Sequence, residues 1–346
     1  MVQGRDDIRD ERYRDPTAFS SQSRGNDMFL FFRFGLLLTL VLGLSSCAPP
    51  ESPVRVGANA WPGYEPMFLA RSLGYYDQHP LQLMVFSSTA EIIRAYRNGL
   101  IDVAAVTLDE ALLISQTQPD RHRIVLVCDA SHGADVILAQ PEFQSLDELR
   151  GRRVGVETTA LGAYVLARAL ERIGLAPADV TTVEVPLLRH VTAFTTGQVD
   201  AVVTFEPYRS TLLDAGARKV FDSSEIPGEI VDVLVTPREL SDSQERTLTA
   251  LVSGWFRALE YLRQHPADAA QRIAPRAKVT PQQFLDSLPG LILLDRQANL
   301  RMLGNSPENL NLTLQQLSEI MFRHKILSKA IEPPLLDDRF IRMATP

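Results

Sequence analysis

The sequence predicts an α/β protein of two similar, doubly wound lobes. Three observations carry this. The chain contains one pattern twice: R-V-G-A-N-A from Arg55 and R-V-G-V-E-T from Arg153, then N-G-L-I-D-V-A-A-V-T ending at Thr107 and T-G-Q-V-D-A-V-V-T ending at Thr204. Arg55 and Arg153, Gly57 and Gly155, and Asp102 and Asp200 all share one offset of about 98 positions, too long for a solenoid repeat of roughly 20–50 residues. Within each copy, short apolar runs alternate with amphipathic segments, the β-α-β-α-β order of a doubly wound sheet. Two such lobes in one chain leave a cleft between them, where small ligands bind.

Each element has a local reason. Residues 54–59 form an apolar first strand, and W-P-G-Y-E-P from Trp61 is a turn. Residues 67–73 read as a helix stopped by Gly74, residues 81–86 as a second strand, and residues 89–98 as a helix stopped by Gly99. The run at residues 101–106 suits a strand covered on both faces. Residues 124–128 are a further strand, and residues 130–134 are expected to cross to the second copy. There, residues 146–150 read as a short helix and residues 183–185 and 201–205 as strands. Residues 231–235 are the return strand, ended by Thr236 and Pro237. Beyond Ser241 the pattern turns helical, over residues 244–264, 281–288 and 307–327.

The 346 residues suffice for two cores, with 45% hydrophobic and 22% charged residues, near the globular average. A net charge of −7 leaves no basic stripe for nucleic acid. Two cysteines, Cys47 and Cys128, build neither a disulfide framework nor a tetrahedral metal site. No phosphate-binding, dinucleotide or hydrolase signature occurs. No cofactor, metal or catalytic residue is therefore expected, and the chain is read as a non-enzyme.

Residues 34–44 are an apolar run of signal-peptide length, ending in Leu44, Ser45, Ser46 and Cys47. That ending resembles the bacterial lipobox, whose cysteine is lipidated; the alternative is an ordinary signal peptide with a chance cysteine. Residues 1–27 are polar and aperiodic, and Met28 is the expected start.

The lipobox, the W-P-G-Y-E-P turn, the L-A-R-S-L-G-Y-Y-D helix end, the G-L-I-D-V-A-A-V-T-L-D-E-A segment and the D-x-S-x-G-A-D crossing from Asp129 occur in one order. Together they resemble the periplasmic substrate-binding lipoproteins of nitrate, sulfonate and taurine ABC importers. The resemblance implies a type II periplasmic-binding-protein fold: two doubly wound lobes, a two-strand hinge and extra C-terminal helices. On this reading residues 1–47 are an N-terminal extension and signal peptide and residues 48–53 a tether. Residues 54–130 and 231–346 form lobe I, residues 135–229 form lobe II, and residues 131–134 and 230–232 the hinge. The resemblance further implies a monomer in the bacterial envelope, with a small-molecule ligand, a permease and an ATPase as partners.

Ligands of doubly wound sheets sit beyond the carboxyl ends of the strands. That rule selects Trp61, Gly63 and Tyr64 as pocket walls. It also selects Ser87, Ser88 and Thr89 as hydroxyl and amide donors, against ordinary N-capping. Thr107 lies at a strand end, while Glu110 is read as an acid complementing a helix dipole. Thr158, Thr159 and Tyr164 occupy the repeat position of the W-P-G-Y turn, and Glu206 and Tyr208 that of the T-L-D-E turn. Asp129 and Asp135 lie at the crossing and Asp232 at the return strand. Carboxylates outnumber basic residues near these loops, which points to an amine-bearing ligand, an aminosulfonate included. Two alternatives stand beside the transport reading: a lipid-anchored receptor feeding a membrane sensor, and a pyrimidine-precursor synthase of the same fold, whose cysteine-rich motif is absent here. If Cys47 carries the anchor, Cys47→Ser will move the protein out of the detergent phase on phase partitioning; unchanged partitioning contradicts the lipobox.

Overall fold

The computed structural model describes residues 52–118, 120–157 and 160–345. Two sheets organise them. The first has the order β11-β4-β10-β3-β1-β2, built from β1 (Val54–Ala58), β2 (Leu81–Val85), β3 (Val103–Thr107), β4 (His122–Ser131), β10 (Val231–Pro237) and β11 (Leu291–Leu293). A short β12 (Leu335–Leu336) adds to β4. The second has the order β7-β6-β8-β5-β9, from β5 (Val136–Ala139), β6 (Arg153–Val156), β7 (Thr181–Glu184), β8 (Ala201–Thr204) and β9 (Arg218–Asp222). The orders correspond. In each, a first strand lies parallel between two others, and an antiparallel strand follows on the side of the third.

The repeat has a physical basis. The Arg55 backbone N–H and Nε donate to Asp102 Oδ2 at 2.8 and 2.9 Å, and its Nη2 reaches the Gly99 carbonyl at 2.8 Å. Arg153 repeats this on Asp200 Oδ2 at 2.8 and 3.1 Å and on the Gly197 carbonyl at 2.9 Å. Gly99 and Gly197 sit at φ of 66° and 67°, where a side chain would be strained. Each clamp ties the start of a lobe's first strand to the turn before its third.

Helices cover both faces of the sheets. In the first lobe α1 (Glu65–Ser72), α2 (Thr89–Arg97) and α3 (Leu108–Ser115) follow the strands. The Ser88 side chain caps α2 by accepting from the Glu91 N–H at 3.3 Å. In the second lobe α4 (Ala160–Arg172), α5 (His190–Thr195) and α6 (Tyr208–Asp214) do the same. Val136 and Leu138 of β5 pack on one face of the sheet, Ile137 and Ala139 on the other, as strand alternation requires. The C-terminal helices α7 (Asp242–Gln264), α8 (Pro266–Ala277), α9 (Pro281–Ser287), α10 (Arg296–Leu303), α11 (Asn311–Arg323) and α12 (Arg339–Met343) include members that pack into the first lobe's core. Among the described residues no helix is long and apolar enough to cross a membrane.

The chain crosses between sheets twice, after β4 and before β10. The crossings are bonded together: Ser131 Oγ lies 2.7 Å from Ser223 Oγ, and the Ser131 N–H donates to the Ile230 carbonyl at 2.9 Å.

Several elements differ from the sequence expectation. β4 extends to Ser131, past the expected crossing at residue 130, because β10 and β11 both pair with its end. Helix was expected from residue 307, but α11 begins at Asn311. Ser306 Oγ accepts from the Glu308 N–H and Asn309 Oδ1 from the Asn311 N–H, holding a turn instead. The edge strands β9, β11 and β12 lack a clear alternating pattern and were not expected.

Candidate functional site

Three adjacent strands bring a row of polar side chains to one level of the first sheet. Thr107 of β3 pairs with Asp232 of β10, and Asp232 pairs with Asp129 of β4. The turn after β1 lies against this row. Trp61 Nε1 donates to both Asp129 oxygens, at 3.3 and 3.2 Å, and the Tyr64 hydroxyl donates to Asp232 Oδ1. Gly63 is required by this approach, since a Cβ there would fall 1.9 Å from Asp129 Oδ2.

Above the row lies a narrow cavity lined by Asn59, Trp61, Glu110, Asp135, Phe205 and Asp232, among others. A neighbouring narrow cavity shares Thr89, Glu110, Asp135, Leu161 and Phe205 with it and adds Glu157 and His190. The walls come from both lobes, with Trp61 of the first meeting Phe205 of the second edge to face at 5.5 Å.

The cavity holds acceptors in excess. Asn59 Nδ2 donates to Thr89 Oγ1, Glu110 Oε2 accepts from the Thr107 N–H, and Asp232 Oδ1 accepts from Tyr64. Each of these residues commits one atom and leaves another, Asn59 Oδ1, Glu110 Oε1 and Asp232 Oδ2, buried without a partner. Buried polar atoms are ordinarily satisfied, so these are the atoms open to a ligand or water. Among the described residues no lysine or arginine lines either cavity.

Burial shifts the acids upward. It pushes Asp129 up to about 8, against the Trp61 hydrogen bond, and Asp135 up to about 7, against that of Ser131. Asp232 and Glu110 are driven well above the carboxylate range, burial first and then the neighbouring Asp129 and Asp109 respectively. Glu157 rises to about 7 through burial and Glu91, opposed by the Ser88 hydroxyl of the facing lobe. His190 is buried and pushed down to about 4. Its Nε2 faces the Val185 carbonyl at 3.1 Å and must carry the proton, so Nδ1 accepts from Thr204 Oγ1 at 3.1 Å. The ring is neutral and offers no charge to an anion.

The structure gathers Trp61, Gly63, Tyr64, Thr89, Thr107, Asp129, Asp135 and Asp232 around this cavity or directly behind its wall. It places other candidates elsewhere. Ser87 is exposed and donates to Glu91, while Ser88 caps α2 and touches the site only through Glu157 of the second cavity. Tyr164 packs into the first lobe's core and donates to Glu229. Glu206 was expected to face the ligand, but Arg209 Nη1 and Ser210 Oγ saturate its Oε1 at 3.0 and 2.9 Å, and it lines a separate pocket. Tyr208 stacks its edge near His190, at 6.2 Å. Thr158 and Thr159 lie outside the described residues, as does Cys47.

Sequence reasoning missed Asn59 and Glu157, selected the segments that hold Leu161 and Phe205 without singling out either residue, and favoured a dipole role for Glu110. The signal was present: the 98-residue offset maps Asn59 onto Glu157 and Thr107 onto Phe205, so the lobes contribute equivalent strand ends.

The raised acids predict a pH dependence. A carboxyl titrating near 7–8 in the folded state and near 3.8 unfolded keeps a proton that the unfolded chain has lost. Its stabilisation is full below about pH 4 and disappears as pH rises through 7 to 8. At constant ionic strength, the ligand-free protein is expected to melt higher at pH 5.5 than at pH 8, and Asp135→Asn to flatten that difference. Equal slopes in parent and variant contradict the burial of Asp135.

Comparison with known proteins places the chain. The profile described as the NMT1-like family matches residues 47–277. A Haemophilus influenzae protein named "Putative thiamine biosynthesis protein" is 23% identical over 312 residues, covering 86% of this chain and 95% of that protein. A Brucella abortus protein named as a "putative binding protein" is 28% identical over 188 residues, 53% of this chain and 56% of its own length. Among solved structures, the alkanesulfonate-binding protein SsuA from Xanthomonas axonopodis pv. citri, bound to MOPS, matches with a TM-score of 0.68 at 17% identity, over 82% of this chain and 97% of that one. The desulfurization enzyme DSZB, solved as a cysteine-to-serine mutant with biphenyl-2-sulfinic acid, matches with a TM-score of 0.60 at 18% identity, over 84% of this chain and 98% of that one. At these identities the structures establish the shared type II periplasmic-binding-protein fold, one that hosts ligand-binding components of ABC importers and an enzyme alike.

Proposed function

The chain belongs to the NMT1-like family, and we propose that it is the extracytoplasmic solute-binding component of an ABC importer, capturing a small amine-bearing molecule between its two lobes and delivering it to a membrane permease. One observation carries the ligand class: Asn59 Oδ1, Glu110 Oε1 and Asp232 Oδ2 are buried without partners in a cavity that no described lysine or arginine lines. A buried carboxylate is costly unless a donor or cation meets it. An amine can take up the proton that burial leaves on Asp232 or Glu110 and then meet the carboxylate as a cation and donor, which a sulfonate or nitrate group cannot. The name of the Haemophilus relative keeps a thiamine-related amine, such as an aminopyrimidine, within this class.

The binding reading is favoured over an enzymatic one by Cys128, the described cysteine. It is fully buried in β4, and burial with the adjacent Asp129 drives its thiol well up, away from the reactive thiolate. In this proposal Cys47 carries a lipid anchor, the protein works as a monomer at the membrane surface, and its partners are a permease and an ATPase.

The test is a thermal-shift and calorimetric panel of primary amines, aminopyrimidines, taurine, alkanesulfonates and nitrate. A specific ligand at one hundred times its Kd stabilises the fold by about 2.7 kcal/mol. Amines or aminopyrimidines are expected to stabilise the protein, and Asp232→Asn to weaken them by about 2–5 kcal/mol. Stabilisation by sulfonates or nitrate alone, undiminished in Asp232→Asn, contradicts the proposed class.

A further inference from the structure

Asp232 is the acid of the cleft with the least to answer its charge. It lies on the interior strand β10, 3% exposed, with Tyr64 donating to Oδ1 and Oδ2 left without a partner. The titratable groups that face it bring no positive charge. β4 presents Asp129, its register partner, and the buried Cys128; the turn after β1 presents the Tyr64 hydroxyl; α3 presents Glu110; and Asp135 stands beyond the crossing. Its partner on β3 is Thr107, which does not titrate. Among the described residues no lysine or arginine lines the cavity. A carboxylate enclosed in this way is neutralised rather than left charged, and burial together with Asp129 drives Asp232 well above the ordinary carboxylate range.

We propose that Asp232 is the proton-exchanging residue of the cleft: it carries a proton on Oδ2 in the ligand-free protein, and an ammonium group entering the cavity takes the place of that proton. This rests on the amine reading of the cavity and adds how the amine is admitted. An alkylamine is already an ammonium ion near neutral pH, as the lysine side chain is. When it binds, the Asp232 carboxyl gives its proton to water and the carboxylate left behind meets the ammonium group. A weakly basic amine arrives neutral. The same proton then passes from Oδ2 to the ligand nitrogen, and none leaves the site. Both routes end in an ammonium on a carboxylate, but only the first releases a proton. Affinity for a strong base therefore rises by about tenfold per pH unit while Asp232 is protonated, and a weak base gains on a strong one as the pH falls.

The test uses two primary amines of similar shape, ethylamine and 2,2,2-trifluoroethylamine. The fluorines withdraw charge from the nitrogen, so the second is largely neutral at pH 6.5. Calorimetry at that pH in two buffers of different ionisation enthalpy counts the protons released. The parent is expected to release about one proton on binding ethylamine and close to none on binding trifluoroethylamine. The ethylamine Kd is expected to rise about tenfold from pH 6.5 to pH 5.5, a window below the values near 7 of Asp135 and Glu157. Asp232→Asn is expected to weaken ethylamine and remove the proton release. If that variant binds too weakly to measure, Glu110→Gln decides the assignment: release persists if the proton comes from Asp232, and its loss places the proton on Glu110 and overturns the proposal. Ethylamine bound by the parent without proton release, or equally well at both pH values, overturns the exchange and keeps the amine reading. Failure of both amines to bind the parent overturns the two together.

Discussion

The arrangement of the cleft depends on two buried carboxylates on neighbouring strands, Asp129 of β4 and Asp232 of β10, each held by one aromatic donor from a single turn. Two acids side by side in a dry interior repel and resist ionisation. The W-P-G-Y turn answers this with an indole N–H and a phenol O–H, and Gly63 lets the backbone come close enough to deliver them. The two strands are also those beside the crossings between the sheets, so the acids of the site sit where the chain passes from one sheet to the other. Anything that alters the protonation or partners of these acids acts where the lobes are joined.

The internal repeat explains how one chain makes a two-sided pocket. Each lobe begins with the same arginine–aspartate clamp, and the Arg153 guanidinium holds Asp200 below the usual carboxylate range. With the strands fixed alike, the ends of equivalent strands arrive at equivalent places and face one another. The residues placed there have diverged. Asn59 faces the site from one copy and Glu157 from the other, and Thr107 on one side is answered by Phe205. The scaffold is duplicated and the chemistry is not.

Most of the fold was legible because its signals are local. Gly99 and Gly197 punctuate helices, β3 is apolar up to its terminal Thr107, and the 98-residue offset aligns the copies without any knowledge of their contacts. The short edge strands were not legible: β11 has three residues and gains its identity from lying against β4. In the site, Trp61, Tyr64, Asp129, Asp135 and Asp232 could be picked out by their place at strand ends. Glu206 shows the limit of that rule. It also ends a strand, yet Arg209 and Ser210 one turn along consume its carboxylate, and such pairing depends on rotamers that strand position does not reveal. Glu110 shows the converse. A helix-start acid is ordinarily a solvated dipole partner, but Glu110 lies among residues of both lobes and its Oε1 is buried without a partner.

These features give closure an electrostatic condition. Glu157 lies against Glu91 and Glu110, and the acids between the lobes are buried, so on the proposed reading a closed cleft is favourable only with a cation or protons inside. Small-angle X-ray scattering at pH 8 tests this most directly, comparing the ligand-free protein with protein saturated by an amine that stabilises it. The account predicts an expanded ligand-free form whose radius of gyration contracts when the amine binds and stays unchanged with an alkanesulfonate. A ligand-free protein already as compact at pH 8 as the amine-bound form would contradict it.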